Sequence, residues 1–423
     1  MTNISTKRRC QLALLMCLAS TPLWACIQPY SPSSTTARAA GMDTARFAQL
    51  LEDSLYWFPN KGWAATLRNA NGQVVASINQ GLARTACDPN GAQAFNTSTE
   101  TPWGSVSKLM TTAAALRVAK QRNVSLDEPL IEHLPYRWRN QIHSRFVVGE
   151  NGSGPVTLRM MLQHRGGFHH SGCANRTIKE RLLDGDIINC GSAAEPEWQP
   201  EVGVRSYANM SQGIFQIALA YMDNPLAMNF HEMQRANLPI ATYDAQIQTI
   251  TNDFYRNYVT QNLLTPIGVT ATCNLPALAN VPGANYTLWY SDANDPLGEL
   301  PSDQSHSCAA GGWSMSSNEM SLFLHQLKFG SLILQPDSYA LMEGSSQDSL
   351  GWWRSEWSIG TVYTHNGAWG GTRSEVRALP GGYTATLVTN SGPHGTLGGA
   401  LNTALVQARR KGIADMHGVL YAR

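Results

Sequence analysis

Residues 101–108 read Thr101-Pro102-Trp103-Gly104-Ser105-Val106-Ser107-Lys108 and run without a break into an Ala-rich segment. There Leu109, Ala113, Leu116 and Ala119 or Lys120 recur at steps of three and four, which predicts a helix over about 105–121. Ser105 and Lys108 are three apart, so both project from one side of that helix's first turn and the amine reaches the hydroxyl. The positive end of the helix dipole stabilises an alkoxide at that place. A Lys beside a Ser in a low-dielectric cleft can shed its proton and activate the nucleophile. Alone the pattern carries little weight, because a chain of this size holds about one S-x-x-K match by chance and most such matches are solvated helix faces.

The flanking sequence frames this segment with β-structure. Phe47, Leu50, Leu51 and Leu55 space a helix over 43–57. The β-prone runs 63–67 and 74–78 then flank Asn69-Ala70-Asn71-Gly72, a hairpin signal. From about 125 to 345 the chain reads as mostly helical with long loops, with helices at 213–221, 243–261 and 318–327. Strand signals return at 358–363, 374–379 and 383–388, divided by Asn366-Gly367 and Pro380-Gly381-Gly382, and a last helix covers about 396–410. β-structure at both ends with helices between predicts an α/β (α+β) fold: an antiparallel sheet built from both chain ends, flanked by helices, with an inserted mostly helical lobe. The expected domain covers 43–423, with the sheet lobe at about 43–100 and 346–415 and the helical lobe at about 101–345. No internal repeat is present.

Of the 423 residues, 14% are charged, against roughly 25% in an ordinary soluble protein. With 43% hydrophobic residues and twelve Trp, disorder is excluded as the general state. The formal charge is +1, and no basic stripe with interleaved aromatics is present, which argues against nucleic acid as a partner. Lys7, Arg8 and Arg9, the apolar run from Leu12 to Leu18 and Leu23-Trp24-Ala25-Cys26 have the layout of an export signal over 1–25. The apolar run is shorter than the ~20 residues that span a bilayer. Leu23 to Cys26 resembles a lipobox, which makes Cys26 a lipidation candidate, although Trp24 stands where a small or aliphatic residue is usual. Ordinary cleavage after Ala25 or near Ala39-Ala40 is the alternative, and both readings stay open. Removing 1–25 leaves 28 cations against 30 carboxylates, a net charge of −2. The expected location is periplasmic, with a membrane tether through Cys26 if it is lipidated; residues 26–42 read as a polar, aperiodic tether.

In an exported chain Cys173, Cys190, Cys273 and Cys308 are disulfide candidates, pairing 173 with 190 and 273 with 308 around two polar loops. Cys87 is then odd and reads as a buried free thiol. The group His164, His169, His170 and Cys173 fits no regular zinc spacing, and His231-Glu232 lacks the second His of a zincin helix, so no metal is expected.

The 101–108 stretch with its upstream hairpin resembles the nucleophile motif of the serine β-lactamase and penicillin-binding-protein superfamily, particularly the class C-like branch that holds D-aminopeptidases, carboxypeptidases and family VIII esterases. That resemblance implies further motifs in a set order. A Tyr-x-Asn is found at Tyr207-Ala208-Asn209, 102 residues after Ser105 and just before the apolar run 213–221. A His-x-Gly is found late, at His365-Asn366-Gly367. Between them, Thr157 to Gly167 resembles the "T-x-x-x-L-L-x-H-x-S-G" segment, with Met161 for the first Leu and Arg165-Gly166 where Thr-Ser is commoner. Leu264 to Gly268 resembles the "P-L-G" turn. Ala310-Gly311-Gly312 resembles "A-G-G-x-x-S", with Met315 in place of the Ser, and Gly351-Trp352 the end of "G-x-G-W". The series covers about 45–410.

The resemblance implies an exported serine hydrolase without metal or organic cofactor. Ser105 is the residue acylated, and Lys108 and Tyr207 share the base role, undecided between them. Asn209 holds Lys108 or the substrate amide, and His365 stands near the Tyr207 hydroxyl or the leaving group. The N–H groups of Ser105 and Ala368 form the oxyanion hole, with Gly367 allowing close approach. Taken singly, a Tyr before an apolar helix is packing and a His before Asn-Gly is an exposed turn residue; the motif order favours function. For His169, His170, Trp352, Trp353 and Trp369, packing comes before a place in the cleft. His365 stands where β-lactamases carry Lys, and a mostly neutral His supplies less charge to a substrate carboxylate. The favoured activities are therefore an esterase or a D-amino-acid-specific peptidase, acting on small esters or peptidoglycan stems, over an efficient β-lactamase. The alternative is a penicillin-binding or peptidoglycan-sensing module that uses the same site without turnover.

Overall fold

The computed structural model describes residues 31–56, 60–149, 152–170, 177–186, 200–392 and 396–421. Short strand β1 (Ser33–Thr36) leads to helix α1 (Thr44–Tyr56), then to the hairpin β2 (Gly62–Arg68) and β3 (Val74–Arg84). The hairpin turn forms where Asn69 Oδ1 accepts from the amides of Asn71 and Gln73, and Gly72 takes φ +80°. Strands β4 (Gln93–Ala94) and β5 (Thr101–Pro102) precede helix α2 (Lys108–Arg122), which ends at Asn123 in the left-handed conformation. The helical middle includes α3 (Phe215–Asp223), α4 (Ile240–Val259) and α5 (Ser317–Phe329), with β6 (Ser314–Met315) just before α5. Strands β7 (Trp353–Trp357), β8 (Gly360–Trp369), β9 (Thr372–Leu379) and β10 (Tyr383–Thr389) and helix α6 (Thr396–Tyr421) complete the chain.

The main sheet runs β1-β3-β2-β10-β9-β8-β7, all antiparallel, with β4 added to β3. Its seam is the β2–β10 pair, where the two chain ends meet with Thr66 opposite Thr386. Both strands are buried along their whole length. Period-two alternation divides them. Trp63, Ala65, Leu67, Ala385 and Leu387 pack with Phe47 and Leu51 of α1 and Leu401 and Leu405 of α6. Ala64, Val376, Ala378 and Val388 belong to the other core, with Trp103, Leu109 and Met110. The sheet thus has helices on both faces, and the expected α/β architecture is the one observed.

Three local readings are corrected. Ser33–Thr36, within the stretch read as tether, pairs with Ala76–Asn79 as an exposed edge strand. Asn366-Gly367 does not turn the chain: it continues β8 opposite Glu375 and Ser374, and the turn falls at Gly370-Gly371. Gly367 is there for a different reason, since a Cβ on it would meet the Trp103 carbonyl at 2.1 Å. Cys87, read as a buried free thiol, is exposed and disulfide-bonded. Cys273 and Cys308 are bridged, with Cα atoms 5.8 Å apart. Cys26, Cys173 and Cys190 lie outside the described residues, as does the segment read as an export signal. Among the described residues no group of three or more His, Cys, Asp or Glu is placed to hold a metal ion, and no helix is long and apolar enough to cross a membrane.

Candidate active site

Ser105 sits in a single 3-10 turn, Gly104–Ser107, that opens α2. The turn is clamped from two sides. Trp103 is fully buried and donates through Nε1 to the Met315 carbonyl at 2.8 Å, while Trp103 N donates to the Trp313 carbonyl at 3.0 Å. Ser107 Oγ accepts from Trp313 N at 3.1 Å, and Ser374 Oγ donates to the Trp103 carbonyl at 2.8 Å. Only glycines fit this contact. Gly104 has φ +51°, and a Cβ there would stand 2.6 Å from Ala368 N; a Cβ on Gly367 would stand 2.9 Å from Ser105 N. The amides of Ser105 and Ala368 therefore lie on backbone segments in direct contact.

Lys108 is completely buried at the first residue of α2. Its Nζ donates to Ser105 Oγ at 3.0 Å, to Asn209 Oδ1 at 2.9 Å and to the Ala310 carbonyl. Burial lowers Lys108 to about 7. The Tyr207 hydroxyl donates to Ser105 Oγ at 2.5 Å and lies 3.5 Å from Asn209 Oδ1. Burial pushes that phenol up to about 12, against the pull of the Ser105 hydrogen bond. The Lys108 ammonium stands 5.0 Å from the centre of the Tyr207 ring. Ser105, Lys108, Tyr207 and Asn209, separated by up to about a hundred residues in sequence, are thus one hydrogen-bonded cluster.

His365 is nearby and covered. It is 1% exposed, and burial with the Lys108 charge lowers it to about 3, so it is neutral. Nδ1 lies 2.8 Å from the Asn366 carbonyl. A carbonyl only accepts, so Nδ1 carries the proton and Nε2 presents a bare lone pair, which has no partner. His365 is expected near the Tyr207 hydroxyl or the leaving group; neither of its ring nitrogens is hydrogen-bonded to that hydroxyl. His164 occupies that side instead, with its ring 4.7 Å from Tyr207 and Nδ1 accepting from Ala208 N at 3.3 Å. Burial, then Lys108, His365 and Arg205, lower His164 well below its ordinary value. His170 is exposed with its ring 5.1 Å from Tyr207, and Trp353 is 6.3 Å away, so both face the site, whereas Trp352 is core. Arg205 lies over Trp353 at 4.3 Å and is spent on the Ser346 and Trp352 carbonyls.

Sequence reasoning found the four clustered residues and missed two of their neighbours. The Ala310 carbonyl has no side-chain signature, although Ala310-Gly311-Gly312 marked the segment. His164 stands at the His of the motif-like segment 157–167, with no role read for it there; its left-handed φ of +58° is invisible in sequence.

Residues 64–229 match the β-lactamase family model. No curated protein matches the chain. A class C β-lactamase from Rhodobacter sphaeroides superposes with TM-score 0.61 at 15% identity, over 86% of this chain and 98% of that one. A D-stereospecific amidohydrolase from Streptomyces sp. gives 0.56 at 18%, over 84% and 97%. A β-lactamase/D-alanine carboxypeptidase from Yersinia pestis gives 0.58 at 14%, over 86% and 99%. The fold is the one these β-lactamases and the D-stereospecific amidohydrolase share.

Proposed function

We propose that the protein is an exported serine hydrolase that works through an acyl-Ser105 intermediate on esters or D-amino-acid amides and peptides. The observation that carries this reading is that Ser105 Oγ lies within hydrogen-bond reach of both Lys108 Nζ and Tyr207 OH. Acyl transfer needs a nucleophile, a base matched to the working pH and donors for the oxyanion. Lys108, lowered to about 7, is half neutral near pH 7 and takes the Ser105 proton as Oγ bonds to the acyl carbon. Tyr207, held at about 12, keeps its proton in a hydrogen bond to Ser105 Oγ during attack, then transfers it to the leaving group as the ester or amide bond breaks. Lys108 returns the proton it took to the phenol. Water then hydrolyses the acyl-enzyme along the same route in reverse. Asn209 positions Lys108, and the Ser105 and Ala368 amides receive the oxyanion.

His365 supports the substrate preference. A Lys at this position would bring a cation, whereas the buried, neutral His365 brings none. A carboxylate next to the scissile bond gains nothing from it, which favours esters and amides over β-lactams and peptides with a free C-terminus. Export is carried by the basic, apolar and small-residue order of 1–25. Hydrolysis of p-nitrophenyl esters and D-alanine p-nitroanilide by the native chain and by Ser105→Ala tests the proposal; equal rates for the two proteins would refute it. Labelling of Ser105 without multiple turnover would favour the sensing alternative.

A further inference from the structure

A cavity that shares no wall residue with the Ser105 cluster opens between the end of β3 with the segment after it and residues 279–286; its volume is about 610 Å³. That volume falls within the range of small-molecule sites, roughly 300–1,000 Å³. Arg84, Asn90, Gln93, Asn280 and Tyr286 supply its polar wall, and no Asp or Glu lines it. Arg84 is only 6% exposed. Its guanidinium lies over the Tyr286 ring at 4.3 Å, and Nη1 donates to the Tyr286 carbonyl at 2.9 Å. Nε is buried without a partner.

The other deeply buried arginines among the described residues are better provided. Arg181 makes a two-bond contact with Asp186, and Arg377 meets Glu375 and Asn402. Arg68 reaches Ser321, Gly72 and Asn318, and Arg145 the carbonyls of Gly185 and Pro200. Among the described residues Arg84 has one carbonyl acceptor and no carboxylate partner. The Tyr286 ring and carbonyl offset only part of the cost of taking such a guanidinium out of water. Beside it Gln93 Oε1 is also buried without a partner, while its Nε2 donates to Asn285 Oδ1 at 2.5 Å. Asn90 Nδ2 donates to the Tyr286 hydroxyl at 3.1 Å. One buried cation with spare donors, next to an amide with a spare acceptor, matches a molecule that carries both an anion and an N–H or O–H group.

We propose that this cavity is a second binding site for a small carboxylate-bearing molecule, its carboxylate paired with Arg84 and its amide or hydroxyl donor on Gln93. The planar guanidinium fork suits a carboxylate better than any neutral group. The site does not depend on the catalytic reading of Ser105. Calorimetric titration of the Ser105→Ala protein with N-acetyl-D-alanine and N-acetyl-L-alanine, each compared with its uncharged amide, tests it without interference from turnover. The expected result is binding of at least one acid over its amide, weakened roughly tenfold or more by Arg84→Gln and lost in Ala92→Trp. Ala92 is an exposed wall residue, so a Trp there fills the cavity without disturbing the core and decides the matter if Arg84→Gln does not fold. No binding by either acid, equal binding of acid and amide, or binding unchanged by Ala92→Trp overturns the proposal.

Discussion

Replacing Asn209 by Asp sets a carboxylate where Oδ1 now accepts from Lys108 Nζ at 2.9 Å. Two unit charges at that distance attract by about 6 kcal/mol at an effective dielectric of 20. The burial cost of the new carboxylate takes back part of this, and adjacent opposite charges commonly move a pKa by about 1–3 units. Lys108, at about 7 through burial, then titrates at about 8–10. The readout is the second-order rate of Ser105 labelling by a fluorophosphonate between pH 5 and 10. In the native protein the rate should rise tenfold per pH unit to about pH 7 and level off, standing at about one-hundredth of its plateau at pH 5. In Asn209→Asp the rising limb should move up by about 1–3 pH units, cutting the rate at pH 7 by roughly five- to five-hundredfold while the plateau at high pH returns. An unmoved limb would refute Lys108 as the base. A native rate still climbing through pH 10 would assign that role to Tyr207, which burial pushes up to about 12.

Gly367→Val would drive a Cβ to 2.1 Å from the Trp103 carbonyl and 2.9 Å from Ser105 N. Ester turnover should fall by about two orders of magnitude or more, with a lower melting temperature; full activity would show that the contact is dispensable. Burial and then Glu319 raise Glu100 to about 9, so the fold holds it protonated while the unfolded chain ionises it from about pH 4.5 upward. Its contribution is whole below about 4.5 and is lost as pH rises towards about 9. Glu100→Gln should therefore stabilise the protein by about 2–4 kcal/mol at pH 8 and little at pH 4 in urea unfolding, and a pH-independent gain would contradict this. The Cys273–Cys308 bridge closes a 35-residue separation. Replacing both by Ser should cost roughly 3–4 kcal/mol in the loop-entropy account, read as a lower urea midpoint; an unchanged midpoint would count against it.

The sheet assembled from both chain ends was legible because its central strands are long and apolar, and their turns carry Asn-Gly and Pro-Gly-Gly. The edge strands were not. Ser33–Thr36 is exposed throughout, and no residue of Trp353–Trp357 is buried, so neither shows a buried face to a periodicity argument. Asn366-Gly367 misled as a turn because its Gly is required by the Trp103 carbonyl across the site, a contact between residues more than 260 apart in sequence. In the site, side chains at motif spacing were readable and backbone groups were not. Ala310 contributes its carbonyl, which any residue would supply. The covered position of His365 follows from the packing of β8 against the nucleophile turn, and no local pattern encodes it.

Acylation of Ser105 is tested most directly by mapping the site of a fluorophosphonate adduct by mass spectrometry of the digested protein. A single adduct is expected on the peptide that contains Ser105, absent after heat unfolding and in Ser105→Ala, because reactivity depends on Lys108 and Tyr207 being folded against the hydroxyl. An adduct on another residue, or none while ester hydrolysis persists in Ser105→Ala, would contradict it.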